Sequence, residues 1–353
     1  MITTDELIRY ARLHQCSDIH LSASSPVIFR RIGRLEKGPY DITDEQCQDL
    51  ILSMLDDGCR QALKEGKDLD FSFQSADGKH HRVNVYREKG HLAAAIRILN
   101  DEIPTIDALQ LPPILKQFAD EPRGLVLITG PTGSGKSTTL AAMIQYINAT
   151  RAAHIITIED PIEYFYSNQR ALIHQREVGS DVMSFESALR SAMREDPDVL
   201  LVGEMRDLET ISAAMTAAET GHLVLSTLHT TGAAQTIDRI IDAFQPHGQN
   251  QIRIQLAGVL KGVVTQVLVP RADGSGRVAA TEVLVGTDAA LSMIRGQKTH
   301  QLGSVMQSGR AAGMMTLPAS LAKLVQKQVI SYATALEYAG DEDELTRYLN
   351  VHW

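Results

Sequence analysis

The run GPTGSGKS (130–137) sets Gly130, Gly135, Lys136 and Ser137 at a spacing, G-x-x-x-x-G-K-[ST], that can wrap a chain of phosphates. Gly133 and Gly135 allow the backbone to close around an anion, with N–H groups and the start of a helix facing it. Lys136 is placed to reach the β- and γ-phosphates of a nucleotide, and Ser137 to ligate the magnesium that travels with it. Pro131, Thr132, Ser134 and Thr138 complete the candidate nucleotide-contacting set. A glycine-rich turn without a ligand is the alternative. The setting argues against it, because the motif follows the apolar run GLVLITG and leads into Leu140, Ile144 and Ile147 at helical spacing.

Acids gather further on. Ile155, Ile156 and Ile158 form an apolar run that ends in Glu159, Asp160 and, past Pro161, Glu163. Crowded carboxylates repel unless a cation sits among them. Magnesium brought by the nucleotide supplies one if this strand lies beside the phosphate-loop strand, so that its acids share the crevice at the carboxyl ends of a parallel sheet. DVLLVGE puts Glu204 after four apolar residues, Val199–Val202, where an acid can orient or deprotonate an attacking water. The residue before it is Gly203 and not the usual Asp, so the acids at 159–163 are expected to support the metal instead. A surface Glu204 paired with Arg206 is the plainer alternative.

His222 and His229 bracket the apolar stretch HLVLSTLH. His229, at the carboxyl end, is the candidate γ-phosphate sensor, whereas His222 suits a structural role at the start of the strand or a subunit contact. Arg82, Arg87 and Arg97 lie in the last hairpin of the N-terminal part. Exposed arginines are usually solvated, but over a nucleotide they can neutralise transition-state charge.

These residues need elements to position them. Residues 1–99 read as a small α+β domain: a first helix to about His14, strands in SDIHLS and PVIFRRIGRLE, a helix over 44–56 capped at Thr43 or Asp44, and a hairpin turning at Lys89-Gly90. Residues 100–113, rich in proline and without a period, read as a linker. From 114 to 353 unbroken apolar strands alternate with helices, the signature of a parallel sheet covered on both faces. A late hairpin pairs GVVTQVLVP with RVAATEVLVG, and about 288–353 is helical.

Bulk composition narrows the classes. The 353 residues, 44% hydrophobic and 22% charged, suit a two-domain globular protein. A net charge of −9 and 5% aromatics disfavour a nucleic-acid motor, although helicases share such sheets. The three cysteines, Cys16, Cys47 and Cys59, form no CxxC pair and suit a reducing cytosol. No stretch reaches a membrane span, so a cytoplasmic location is expected, with the membrane met only through partners.

SDIHLS with PVIFRRIGRLE, GPTGSGKSTTLAAMI, IITIEDPIEY, REVGSD, REDPDVLLVGEMRDLETI, TGHLVLSTLHT and GMMTLPASL together resemble the PilT family of secretion ATPases over nearly the whole chain. The resemblance implies an α/β protein with a PAS-like N-terminal α+β domain, followed by a RecA-like P-loop ATPase domain with a helical C-terminal tail. It implies ATP and Mg²⁺ as cofactors, a homohexameric ring, and nucleotide held between the domains. Glu163, Glu204 and His229 would then be catalytic, Ser137 and Glu163 would serve the metal, and Arg97 would contact the nucleotide. The implied work is retraction of type IV pili from the cytoplasmic side of the inner membrane, on a PilC-like platform protein. The short chain without a CxxC…CxxC insertion fits the retraction branch better than assembly or type II secretion ATPases. One segment departs: where the family carries an AIRNLIRE-like stretch, this chain reads AALSMIRGQK (289–298), keeping Ile294 and Arg295. That leaves a PilU-like accessory motor, working with a paralogue, as the alternative.

Overall fold

The computed structural model describes residues 2–31, 33–99 and 102–350. The chain divides into two units: one runs to Glu102 and includes Pro161–Phe165, and the other holds Ile103–Asp160 and the chain from Tyr166 onward.

In the first unit the order is α1 (Thr4–Leu13), β1 (Cys16–Leu21), β2 (Ile28–Arg31), β3 (Arg34–Lys37), α2 (Asp44–Ser53), α3 (Asp57–Lys64), β4 (Leu69–Gln74), β5 (His80–Glu88) and β6 (His91–Ile98). Local chemistry sets the boundaries. Thr3 with Glu6, and Thr43 with Gln46, form capping boxes that satisfy orphan N–H groups at the starts of α1 and α2. Lys89 and Gly90 both take positive φ, 49° and 86°, the conformation that lets a two-residue turn follow the twist of β5 and β6. The strands form an antiparallel sheet in the order β3-β2-β1-β6-β5-β4. Alternation along them buries Ile19, Leu21, Val83, Val85 and Ile96 against Leu7, Ile8 and Ile51 of the helices. Each such side chain contributes roughly 1.5–3 kcal/mol. The opposite face carries a charged row in register, Arg30, Asp18, Arg97 and Arg82.

The second unit contains α4 (Ile114–Asp120), β7 (Gly124–Thr129), α5 (Lys136–Thr150), β8 (His154–Glu159), β9 (Leu172–Glu177), α6 (Phe185–Ala192), β10 (Val199–Val202), α7 (Leu208–Glu219), β11 (Leu223–Leu228), α8 (Ala233–Asp242), α9 (Gln249–Val259), β12 (Leu260–Pro270) and β13 (Arg277–Val285). Five further helices follow the hairpin: α10 (Asp288–Arg295), α11 (Leu302–Ser308), α12 (Leu317–Gln326), α13 (Tyr332–Ala339) and α14 (Glu342–Leu349). The sheet order is β13-β12-β7-β11-β10-β8-β9, parallel throughout except for the β12–β13 pair. Every residue of β7, β10 and β11 is buried, which is why these strands read as unbroken apolar runs.

Two expectations need correction. The strand bearing Glu159 is not beside the phosphate-loop strand, since β11 and β10 stand between β7 and β8. Strand order depends on how the crossovers pack, and the residues of β8 carry no mark of it. The expected linker is also partly core: Ile106 and Leu111 are buried with Phe118 and Ile128, so the proline-rich stretch packs as part of the second unit. Residues 100 and 101 of that stretch, and the last three of the expected helical tail, lie outside the described residues.

Candidate functional site

The phosphate loop leaves β7 at Thr129. Gly130, Gly133 and Gly135 take φ of 139°, 77° and 88°, values that a side chain would resist. Gly135 caps this 15-residue helix α5 without a side-chain cap hydrogen bond, a helix start that suits an anion. Lys136 is 9% exposed and folds back onto its own loop, with Nζ donating to the carbonyls of Gly130 (2.9 Å) and Pro131 (3.0 Å). Ser134 Oγ is buried and carries no hydrogen bond. A loop with an uncapped helix, a cation in reserve and an unsatisfied hydroxyl fits a nucleotide phosphate chain. Ser137 is exposed at the helix start. Its hydroxyl is a hard oxygen donor of the kind that magnesium takes beside phosphates. Among the described residues no three His, Cys, Asp or Glu side chains stand together to hold a metal ion.

Two neighbouring strand ends bring the acid and the imidazole together. Thr227 Oγ1 donates to the Gly203 carbonyl (2.6 Å), and Met205 N–H donates to the Thr227 carbonyl (3.1 Å), which ties the end of β10 to β11. Glu204 follows with its side chain 12% exposed. One carboxylate oxygen meets Arg206 Nη2 at 2.5 Å, and the other lies 3.4 Å from His229 Nε2. His229 Nδ1 in turn stands 3.5 Å from Thr132 Oγ1 in the phosphate loop. Loop, imidazole and carboxylate thus form one chain of polar contacts. The Arg206 pairing foreseen as the plain alternative is present, beside the His229 contact.

The remaining candidates are placed elsewhere. Glu159 accepts from Thr157 Oγ1 at 2.7 Å. Asp160 lines a recess of about 390 Å³ with Glu204, Arg206 and Asp207. Glu163 belongs to the first unit, where its carboxylate lies 3.8 Å from Arg82 Nη1. Arg82 also grips Asp70 through two nitrogens, at 3.0 and 2.6 Å. Arg97 pairs with Asp18 at 3.1 Å and keeps a 62% exposed side chain, and Arg87 is exposed. His222 Nδ1 contacts the Ala217 carbonyl (2.9 Å), closing the end of α7 before β11 starts, the structural role.

Gly203 stands where a side chain is tight: a Cβ there would lie 3.3 Å from the Ile158 carbonyl, which would have to give slightly, and in ordinary contact, 3.5 Å, with Phe185. Sequence reading missed three side chains that hold the site. Gln266 in β12 contacts the phosphate loop. Thr265 beside it bonds Thr129 at 2.7 Å. Glu282 in β13 accepts the Ala233 N–H at 2.7 Å, capping α8 where Gly232 has no side chain to do so. Burial raises the Glu282 pKa, and the Ala233 bond opposes that rise. The available signal was polar residues, Thr265-Gln266 and Glu282, inside otherwise apolar strands.

A phosphate loop between a central parallel strand and its helix, with a carboxylate and an imidazole at the next strand ends, defines a P-loop nucleotide hydrolase of RecA-like architecture. Residues 90–341 match the family described as Type II/IV secretion system protein, and the chain belongs to that family. It is 45% identical over 337 residues to the Type IV pilus retractation ATPase PilT of Pseudomonas aeruginosa, covering 95% of this chain and 97% of that one. It is 39% identical to the Type IV pilus ATPase PilU of the same organism, over 93% of this chain and 86% of the other. A solved structure described as the pilus retraction motor PilT with bound ADP superposes with a TM-score of 0.92 at 44% identity, covering 98% of this chain and all of that one.

Proposed function

We propose that this protein is the ATP-hydrolysing motor of type IV pilus retraction, the machine behind twitching motility. The observation that carries the reading is the contact chain Thr132–His229–Glu204. It joins a nucleotide loop to an acid and an imidazole, in a chain that PilT matches nearly end to end. In this reading the loop residues 130–138 hold ATP. Lys136 leaves the Gly130 and Pro131 carbonyls to meet the β- and γ-phosphates, and Ser137 ligates Mg²⁺, which neutralises phosphate charge when bound. Glu204 takes a proton from the attacking water. His229 bonds the γ-phosphate and reports its presence. Glu163 supports the metal, and Arg97 meets phosphate charge once freed from Asp18.

The working unit is a homohexamer at the cytoplasmic face of the inner membrane, acting on a PilC-like platform protein. Among the described residues no helix is long and apolar enough to cross a membrane.

The test is pilus number on host cells lacking the gene, rescued with wild type or Glu204→Gln. Excess surface pili in the null and in the mutant, cured by wild type, support retraction. Bald cells would mean an assembly motor and overturn the assignment.

A second reading, a PilU-like accessory motor, is favoured by the 289–298 departure. In α10 the retained Ile294 is fully buried and serves packing, which leaves Arg295 as the one retained exposed side chain. Purified protein without ATPase activity until mixed with a paralogue would favour it.

A further inference from the structure

A loop that turns its N–H groups toward a phosphate turns its carbonyls outward into the protein. A buried carbonyl needs a donor, and leaving it without one costs about 1–3 kcal/mol. Gly130 and Pro131 use Lys136 for this. Ser134, 2% exposed at the back of the loop, uses Gln266.

Gln266 is 1% exposed in β12. Its Nε2 donates to the Ser134 carbonyl at 2.6 Å, and its Oε1 accepts from Thr139 Oγ1 in α5 at 2.9 Å. The Ser134 carbonyl accepts only the nitrogen end, so the amide has one allowed orientation. The backbone of the same residue closes against Gly130, where any Cβ would collide with the Gln266 carbonyl oxygen. Its amide nitrogen would lie 3.1 Å from a Cβ at Gly135. One side chain and its peptide thus touch the loop at its first glycine, its buried serine and its last glycine, and reach the helix beyond.

We propose that Gln266 is a positioning residue for nucleotide binding. By holding the Ser134 carbonyl outward it keeps the loop's N–H groups inward, so nucleotide affinity depends on it more than the hydrolytic step does. The proposal rests on reading 130–137 as the nucleotide site. A loop that binds ground state and transition state alike changes KM and leaves kcat nearly unmoved.

The experiment is calorimetric titration of the full chain with ADP and Mg²⁺, with ATPase kinetics and the thermal midpoint of the nucleotide-free protein measured in parallel. Gln266→Glu keeps the shape but points an acceptor at the Ser134 carbonyl. The expected result is a Kd for ADP at least about tenfold weaker, one hydrogen bond's worth. At saturating ATP, kcat should stay within about threefold of wild type. An unchanged Kd with a lowered thermal midpoint would show a packing role only and overturn the proposal. Where Gln266→Glu does not fold, Thr139→Val removes the hydroxyl on the other amide end. A Kd about threefold weaker is then expected, and an unchanged Kd again overturns the proposal. Absence of ADP binding by wild type would remove both the nucleotide-site reading and the role of Gln266. Tight wild-type binding with an indifferent Gln266 would remove the second alone.

Discussion

His229 Nε2 lies 3.4 Å from one carboxylate oxygen of Glu204 while its other ring nitrogen faces Thr132 of the phosphate loop, so a single imidazole spans the space between acid and loop. In the proposed reading a γ-phosphate entering there competes for His229, its loss returns the ring to Glu204, and the contact would couple the state of the nucleotide to the acid proposed to activate water.

Glu204→Gln keeps the shape of that side chain and one acceptor oxygen, which can still face Arg206, but removes its charge and basicity. The variant is expected to bind ATP and to turn over at least about a hundredfold more slowly. Near-normal ATPase turnover in Glu204→Gln would sink the assignment of Glu204 as the base.

Glu163 and Arg82 test a different link. Their 3.8 Å pair is about a third exposed on each side, and pairs of that kind are worth about 0–1 kcal/mol. Glu163→Gln should therefore leave the thermal midpoint nearly unmoved. If Glu163 serves the metal, the variant raises the Mg²⁺ concentration needed for half-maximal ATPase activity. An unaltered Mg²⁺ dependence would leave Glu163 as a surface partner of Arg82.

Gly203→Ala adds one methyl group 3.3 Å from the Ile158 carbonyl, a tight contact that the strand must relax to accept. Crowding of this size costs roughly 1–3 kcal/mol. Chemical denaturation should show a lower midpoint with an unchanged slope, and Gly203→Asp should be worse. A fully stable Gly203→Asp would mean that the missing acid has no steric cause.

Glu282 gives a pH signature. Burial raises its pKa, so the folded chain keeps this proton at a pH where the unfolded chain, with an ordinary pKa near ~4.3, has lost it. The cost of its charge is absent below the unfolded pKa and grows as pH rises through the folded one. Gln offers the same acceptor to Ala233 without a charge. Glu282→Gln should melt higher than wild type at neutral pH, with the advantage fading as pH falls below that of ordinary carboxylates. A constant difference across pH would show that folding does not raise the Glu282 pKa.

Much of this molecule could be read before any coordinates because its signals are local. The phosphate loop, its strand and its helix occupy adjacent residues, so spacing alone predicts their geometry. Thr43 as a cap, the turn at Lys89-Gly90 and the hairpin around 272–276 follow from backbone preferences of a few neighbouring residues. Glu204 and His229 stand out as candidates because both follow the ends of buried apolar strands, and a parallel sheet collects such ends on one side.

What tertiary structure alone decided is which of these ends meet. The order β7-β11-β10-β8 puts Glu204 and His229 on adjacent strands and moves Glu159 away from the loop, and that order depends on how crossovers pack. Gln266 lies 132 residues from Ser134, and Glu282 lies 49 from Ala233. A buried polar side chain announces in sequence that it needs a partner, since leaving it unpaired is costly. Which partner it finds depends on long-range packing, and only the folded chain contains that choice.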